Sequence, residues 1–148
     1  MLSHQLIRMI EDQWEQLAER VLGKIRRDPQ LVHLGRLPNS ELREWARDVL
    51  KNLDHWLSER RELGQRYEGL GRLRFEESIP LCEAVHGIHL LKEEMIDFVR
   101  SRGFGRTSVE LYAEEELEHR VDHFFDWLVE HFVYGYEEAL RKAAHFAA

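Results

Sequence analysis

Residues 117–136, LEHRVDHFFDWLVEHFVYGY, set an apolar side chain every third or fourth position: Leu117, Val121, Phe125, Leu128, Phe132 and Tyr136. That spacing is the stripe of an amphipathic helix, and it leaves no room for the period-two alternation of a strand. The pattern reaches back to Thr107 or Ser108 and forward to Ala139, and Gly135 is its one interruption. A long C-terminal helix is predicted, with a kink expected at that glycine.

Working outward, the same periodicity recurs. Ile7, Ile10, Trp14, Leu17, Val21 and Ile25 define a first helix. Leu42, Trp45, Val49, Leu53, Trp56 and Leu57 define a second, which Asn39 or Ser40 is placed to cap. Leu81, Val85, Ile88, Met95 and Val99 define a third, opening at Ser78-Ile79-Pro80 and closing at Gly103. Between the second and third, residues 63–77 hold Gly64, Gly69 and Gly71 and only a weak stripe, so a short connector helix in a turn region is expected there. The three prolines, Pro29, Pro38 and Pro80, all fall between stripes. The fold class is therefore all-α: one domain over residues 1–148, an antiparallel bundle of four main helices plus the connector.

Composition narrows the function classes. A formal charge of −7 argues against nucleic-acid binding, because the short basic clusters Arg26-Arg27 and Arg60-Arg61 have acidic neighbours. The N-terminus carries His4 and Arg8 among its apolar residues, followed by Glu11 and Asp12, and reads as neither signal peptide nor membrane span. Cys82 is the single cysteine, which points to a reducing compartment and a cytoplasmic location. No nucleophile elbow or phosphate-cradling glycine loop is present, so an enzyme is not expected.

Nine histidines raise the question of a metal. Glu83-x-x-His86 and Glu116-x-x-His119 copy the spacing of di-iron bundles, and His89-x-x-x-Glu93 and His119-x-x-x-His123 that of hemerythrin-like pairs. A bundle metal needs ligands on the core face. At 100° per residue, His86 falls roughly 140°, Glu83 roughly 160° and Glu93 roughly 120° from the centre of the third stripe. Glu116, His119 and His123 fall about 150° or more from the centre of the last one, and His55 lies opposite its own. No resident metal or cofactor is expected. His89, roughly 80° off centre, is the one histidine that could reach a heme, and a metal- or heme-dependent oxygen or redox sensor is the alternative reading.

Two further groups stand out. Lys92 falls about 20° from the middle of the third stripe, where a cation must be paired or snorkel to water; Asp126 and Glu115 on the last helix are the expected partners. Trp127, His131 and Tyr134 line a second flank of the last helix, which predicts a homodimer through that surface.

Gly71-Arg72 through Phe75, Ser78-Ile79-Pro80-Leu81, Glu83-Ala84-Val85 and Leu90-Leu91-Lys92 resemble the G-x-x-R … I-P-L-x-E-V-V … L-L-R pattern of the RsbRD N-terminal-like domain. Arg120 to Asp126 and Tyr134 to Ala139 resemble its closing helix. This is the sensor module of stressosome RsbT co-antagonists and of some bacterial histidine kinases. The resemblance implies a helical, often globin-like, heme-free dimer that passes a stress signal to a protein partner or output domain. The chain departs from the pattern in carrying Lys92 where arginine is expected. No STAS or kinase domain follows Ala148, so the output is expected from a domain outside this sequence or from a separate partner.

Overall fold

A computed structural model describes residues 2–102 and 107–147. Seven α-helices and one 3-10 turn account for nearly all of them, with no strand among the described residues. They are α1 (Leu2–Asp12), α2 (Trp14–Arg27), the turn Leu34–Arg36, α3 (Asn39–Leu50), α4 (Leu53–Ser58), α5 (Arg61–Glu76), α6 (Leu81–Arg102) and α7 (Ser108–Ala147). The all-α expectation holds, and the subdivision differs from it. The first stripe is broken at Gln13 and the second at Lys51-Asn52, yet Ile7, Ile10, Leu17 and Val21, like Val49, Leu53 and Trp56, remain buried across the breaks. Periodicity reports which face is buried; it does not register a one- or two-residue bend that keeps the face in phase.

The larger correction concerns the connector. Residues 61–76 form a full helix, and α5 makes the tightest packing in the molecule, against α7. The pairs Gly64 with Trp127, Glu68 with His131 and Arg72 with Glu138 advance together along both chains, so α5 and α7 run parallel. Antiparallel order holds for α2 with α6 and for α6 with α7. The glycines are what allow the crossing. A Cβ on Gly71 would stand 2.8 Å from the Tyr136 backbone nitrogen and overlap the Phe132 carbonyl oxygen, and one on Gly135 would overlap the Glu68 backbone. Gly71 and Gly135 are thus points of backbone contact. α7 is continuous across Gly135 and, at 40 residues, about 60 Å long.

α5 ends in a Schellman motif. Ser78 takes the left-handed conformation (φ 62°), the Ile79 N–H donates to the Arg74 carbonyl, and the Ser78 N–H to that of Phe75. Pro80 then forces a new helix. At the start of α3 the expected cap is not used: Asn39 instead accepts hydrogen bonds from the Arg26 guanidinium, which also donates to the Leu37 carbonyl at 3.0 Å. Gly103, expected to close α6, lies outside the described residues. Among the described residues no helix is long and apolar enough to cross a membrane.

The core joins Leu6, Ile10, Val21 and Ile25 to Leu42, Val49, Leu91, Met95, Phe124, Phe125, Leu128 and Phe132. On α6 the buried set also includes Ala84, Leu91 and Phe98. Adding them turns the stripe's centre toward Glu83 and Glu94 and leaves Lys92 at its edge.

Candidate functional site

Among the described residues three charged side chains are buried: Arg74, Glu83 and Glu94. Glu83, expected to face water, accepts the backbone N–H groups of His33 (2.9 Å) and Leu34 (3.1 Å) and lies 2.6 Å from His33 Nδ1. It caps the 3-10 turn from across the bundle. Burial alone would raise its pKa, but the Leu34 N–H, the His33 side chain and the His33 N–H together hold it below the ordinary carboxylate value. Glu94 is held by Lys24 at 2.7 Å and Arg20 at 3.5 Å, both on α2.

Arg74 sits at one end of an open groove between α3 and α5, with a volume of about 590 Å³. Its Nη1 donates to Glu41 of α3 at 2.7 Å and to Glu77 at 2.8 Å. The two carboxylates are close enough to compete for one proton. Burial and the neighbouring Glu41 push Glu77 up; for Glu41, burial is outweighed by hydrogen bonds from Glu77 and Arg74, and its pKa is lowered. Between the helices lie Trp45, Tyr67 and Leu70, with Leu73 exposed at the edge. Arg66 of α5 and Asp48 of α3 pair across the rim at 2.9 Å.

Tyr67 is the anomaly of this groove. Its side chain is 2% exposed and no group completes a hydrogen bond to its hydroxyl. Burial pushes the phenol up, opposed by the Trp45 indole N–H, which lies near the hydroxyl oxygen without completing a hydrogen bond, so the phenol stays neutral at physiological pH and its own proton has no acceptor. A buried hydroxyl left unpaired costs about 1 to 3 kcal/mol and calls for an explanation.

The expected site residues do not converge. Lys92, with 19% of its side chain exposed, pairs with Asp122 at 3.4 Å, one turn before the expected Asp126; Asp122 is itself half exposed. Asp126 and Glu115 are exposed, and His89 is half-buried. Among the described residues no ion pair or hydrogen bond joins any two of Lys92, His89, Asp126 and Glu115. The flank of α7 thought to need a partner is largely covered from within. Trp127 packs on Gly64 and under the Arg60 guanidinium, and His131 Nδ1 lies 2.6 Å from Glu68. Tyr134 alone of the three is exposed. His55, Glu93, Glu116, His119 and His123 are exposed, as the helical count placed them. No cluster of three or more histidine, cysteine or acidic side chains among the described residues is arranged to hold a metal.

The residues missed by single-helix reasoning had one signal. Gly71, Arg74, Ile79 and Glu83 are the fixed positions of the G-x-x-R and I-P-L-x-E elements on which the resemblance rests.

The described residues form an all-α unit whose buried charges tie helices together, with an open groove between α3 and α5. The family model for the RsbT co-antagonist protein rsbRD N-terminal domain matches residues 15–147, and the chain belongs to that family. It is a stressosome-related signalling domain and not a known enzyme family. No curated relative and no solved structure matches the chain.

Proposed function

We propose that this chain is a non-enzymatic sensory module that dimerises, receives a small ligand or partner segment in the α3–α5 groove, and passes the signal to a protein partner or output domain. The observation that carries the reading is the Tyr67 hydroxyl, buried and unpaired beside a groove that Arg74 closes at one end. A buried polar group without a partner calls for an explanation, and a group entering the groove beside it would supply one. Family membership supports the signalling role. Support for dimerisation comes from the C-terminal third of α7, where the apolar side chains of Tyr134 (54%), Leu140 (48%) and Phe146 (86%) are exposed on different sides of the helix.

Light scattering at tens of micromolar tests the dimer: a dimer mass is expected, reduced toward monomer by Tyr134→Glu. A monomer mass for the unaltered chain would refute it. For the groove, Leu73→Glu should abolish the response of a stress reporter in cells while leaving the melting temperature of the purified protein unchanged. An unaltered response would remove the groove from the signalling path.

A further inference from the structure

His119 and His123 occupy successive turns of α7, and both are exposed. Their Nε2 atoms stand 3.0 Å apart, with the ring planes at 85°. An imidazole nitrogen binds a transition ion at about 2.0 to 2.1 Å, so two nitrogens at right angles on one ion stand about 2.9 Å apart. The observed separation matches that span. Because a helix fixes both Cα positions, only rotamer freedom remains to be lost on binding, which is the condition for a preorganised chelate. Without an ion, a contact of this length needs one Nε2–H donor and one bare Nε2 acceptor, so the pair cannot be held with both rings protonated.

The surroundings favour a cation. Glu115, Glu116 and Asp126 lie on the turns either side of the pair and are exposed, and they raise the local concentration of positive ions. The histidines elsewhere that approach carboxylates, His33, His131, His86 and His4, each do so on another element. His119 and His123 instead turn their nitrogens on each other.

We propose that His119 and His123 form a surface chelate for one borderline divalent transition ion that takes ligands at right angles, copper(II) or nickel(II), through both Nε2 atoms, with water completing the coordination. Two neutral imidazoles select these ions over hard magnesium and calcium, and the order of affinity places copper above nickel. With two protein ligands the site is exchangeable, and it lies outside the bundle, independent of the α3–α5 groove.

Isothermal titration of the full chain with nickel chloride and copper chloride at pH 7.5 tests it. The wild type is expected to bind one ion per chain more tightly than any further ions. His119→Gln and His123→Gln should each weaken that site by about tenfold or more, and the double variant should be little weaker than either single one, since a chelate is lost with its first arm. His86→Gln should leave it unchanged, and excess magnesium should not compete. Both substitutions are at exposed positions, and circular dichroism should confirm the fold. Equal affinity in the wild type and the double variant, or an equal loss with His86→Gln, would overturn the assignment.

Discussion

Replacing Glu83 removes the one side chain that ties α6 to the 3-10 turn through two backbone N–H groups. In Glu83→Ala the N–H of Leu34, a residue 4% exposed, loses its acceptor in a buried place, and that of His33 loses its own in a partly buried one. Stranding a buried donor costs about 1 to 3 kcal/mol, whereas the His33 ring is half exposed and can rehydrate. A loss of about 3 kcal/mol is therefore expected. Glu83→Gln keeps an acceptor oxygen but turns charge-assisted bonds into neutral ones, for an expected cost of about 1 to 2 kcal/mol. The pH dependence gives an independent check. Because the folded pKa is depressed below its ordinary value of 4.5, the carboxylate's contribution is complete above that pH and is lost as pH falls through the lower, folded value. Urea melts from pH 7 down to pH 3 should show the gap between wild type and Glu83→Gln closing below about pH 4.5. A cost within about 1 kcal/mol for Glu83→Ala, or a gap that does not change with pH, would refute the capping role.

Gly135→Ala would gain about 1 kcal/mol on an isolated helix, but here the added Cβ overlaps the Glu68 backbone, so a net loss of about 3 kcal/mol is expected in denaturant melts. Tyr67→Phe removes an unpaired buried hydroxyl and should raise stability by about 1 to 3 kcal/mol in the same melts; a loss would mean the hydroxyl is bonded. Lys92→Ala and Lys92→Met should both fall within about 1 kcal/mol of wild type, because the Asp122 partner is half exposed and rehydrates, in contrast to the 3 to 5 kcal/mol that a fully buried pair would show in the same melts.

The stripes were legible because each reports one helix against the rest of the chain. Ile7 to Ile25, Leu42 to Trp56 and Leu117 to Phe132 all have their expected faces inward. What could not be read was which helix meets which. α6 is enclosed from two sides, by α2 with the 3-10 turn and by α7, so polar residues on its flanks are buried as well. A wheel drawn from Leu81, Val85, Ile88, Met95 and Val99 therefore put Glu83 in water and Lys92 near the middle of the core face, whereas the structure buries Glu83 and sets Lys92 at the edge of the core with 19% of its side chain exposed. The glycines of α5 misled for a related reason. In sequence, three glycines in eight residues look like a loop, and only α7 shows their use: Gly71 meets its backbone and Gly64 the Trp127 ring. Once α5 is seen to cover the second flank of α7, the Trp127 and His131 positions no longer require a second subunit.

The segment 71–83 explains why a motif without catalytic residues can still define a signalling domain. Within it, Gly71 lets α5 touch α7, Arg74 bridges α5 to Glu41 of α3, and Glu83 bridges α6 to the 3-10 turn. Arg74 acts twice: its guanidinium closes the groove, and its carbonyl accepts the Ile79 N–H that fixes the Schellman turn. The Ile79 carbonyl in turn accepts the Tyr136 hydroxyl of α7 at 2.8 Å. A set of hydrogen bonds thus runs from Arg74 at the groove wall through Ile79 to the long C-terminal helix, with the left-handed Ser78 setting the turn between Arg74 and Ile79. Contiguity is necessary for coupling and does not by itself supply it; a signal also needs two arrangements of the set that differ in free energy. The Arg74 cluster has the chemistry for two such arrangements, since Glu41 and Glu77 share the same guanidinium and are coupled in their protonation, and under the proposed function a group entering the groove beside Arg74 would change how they share it.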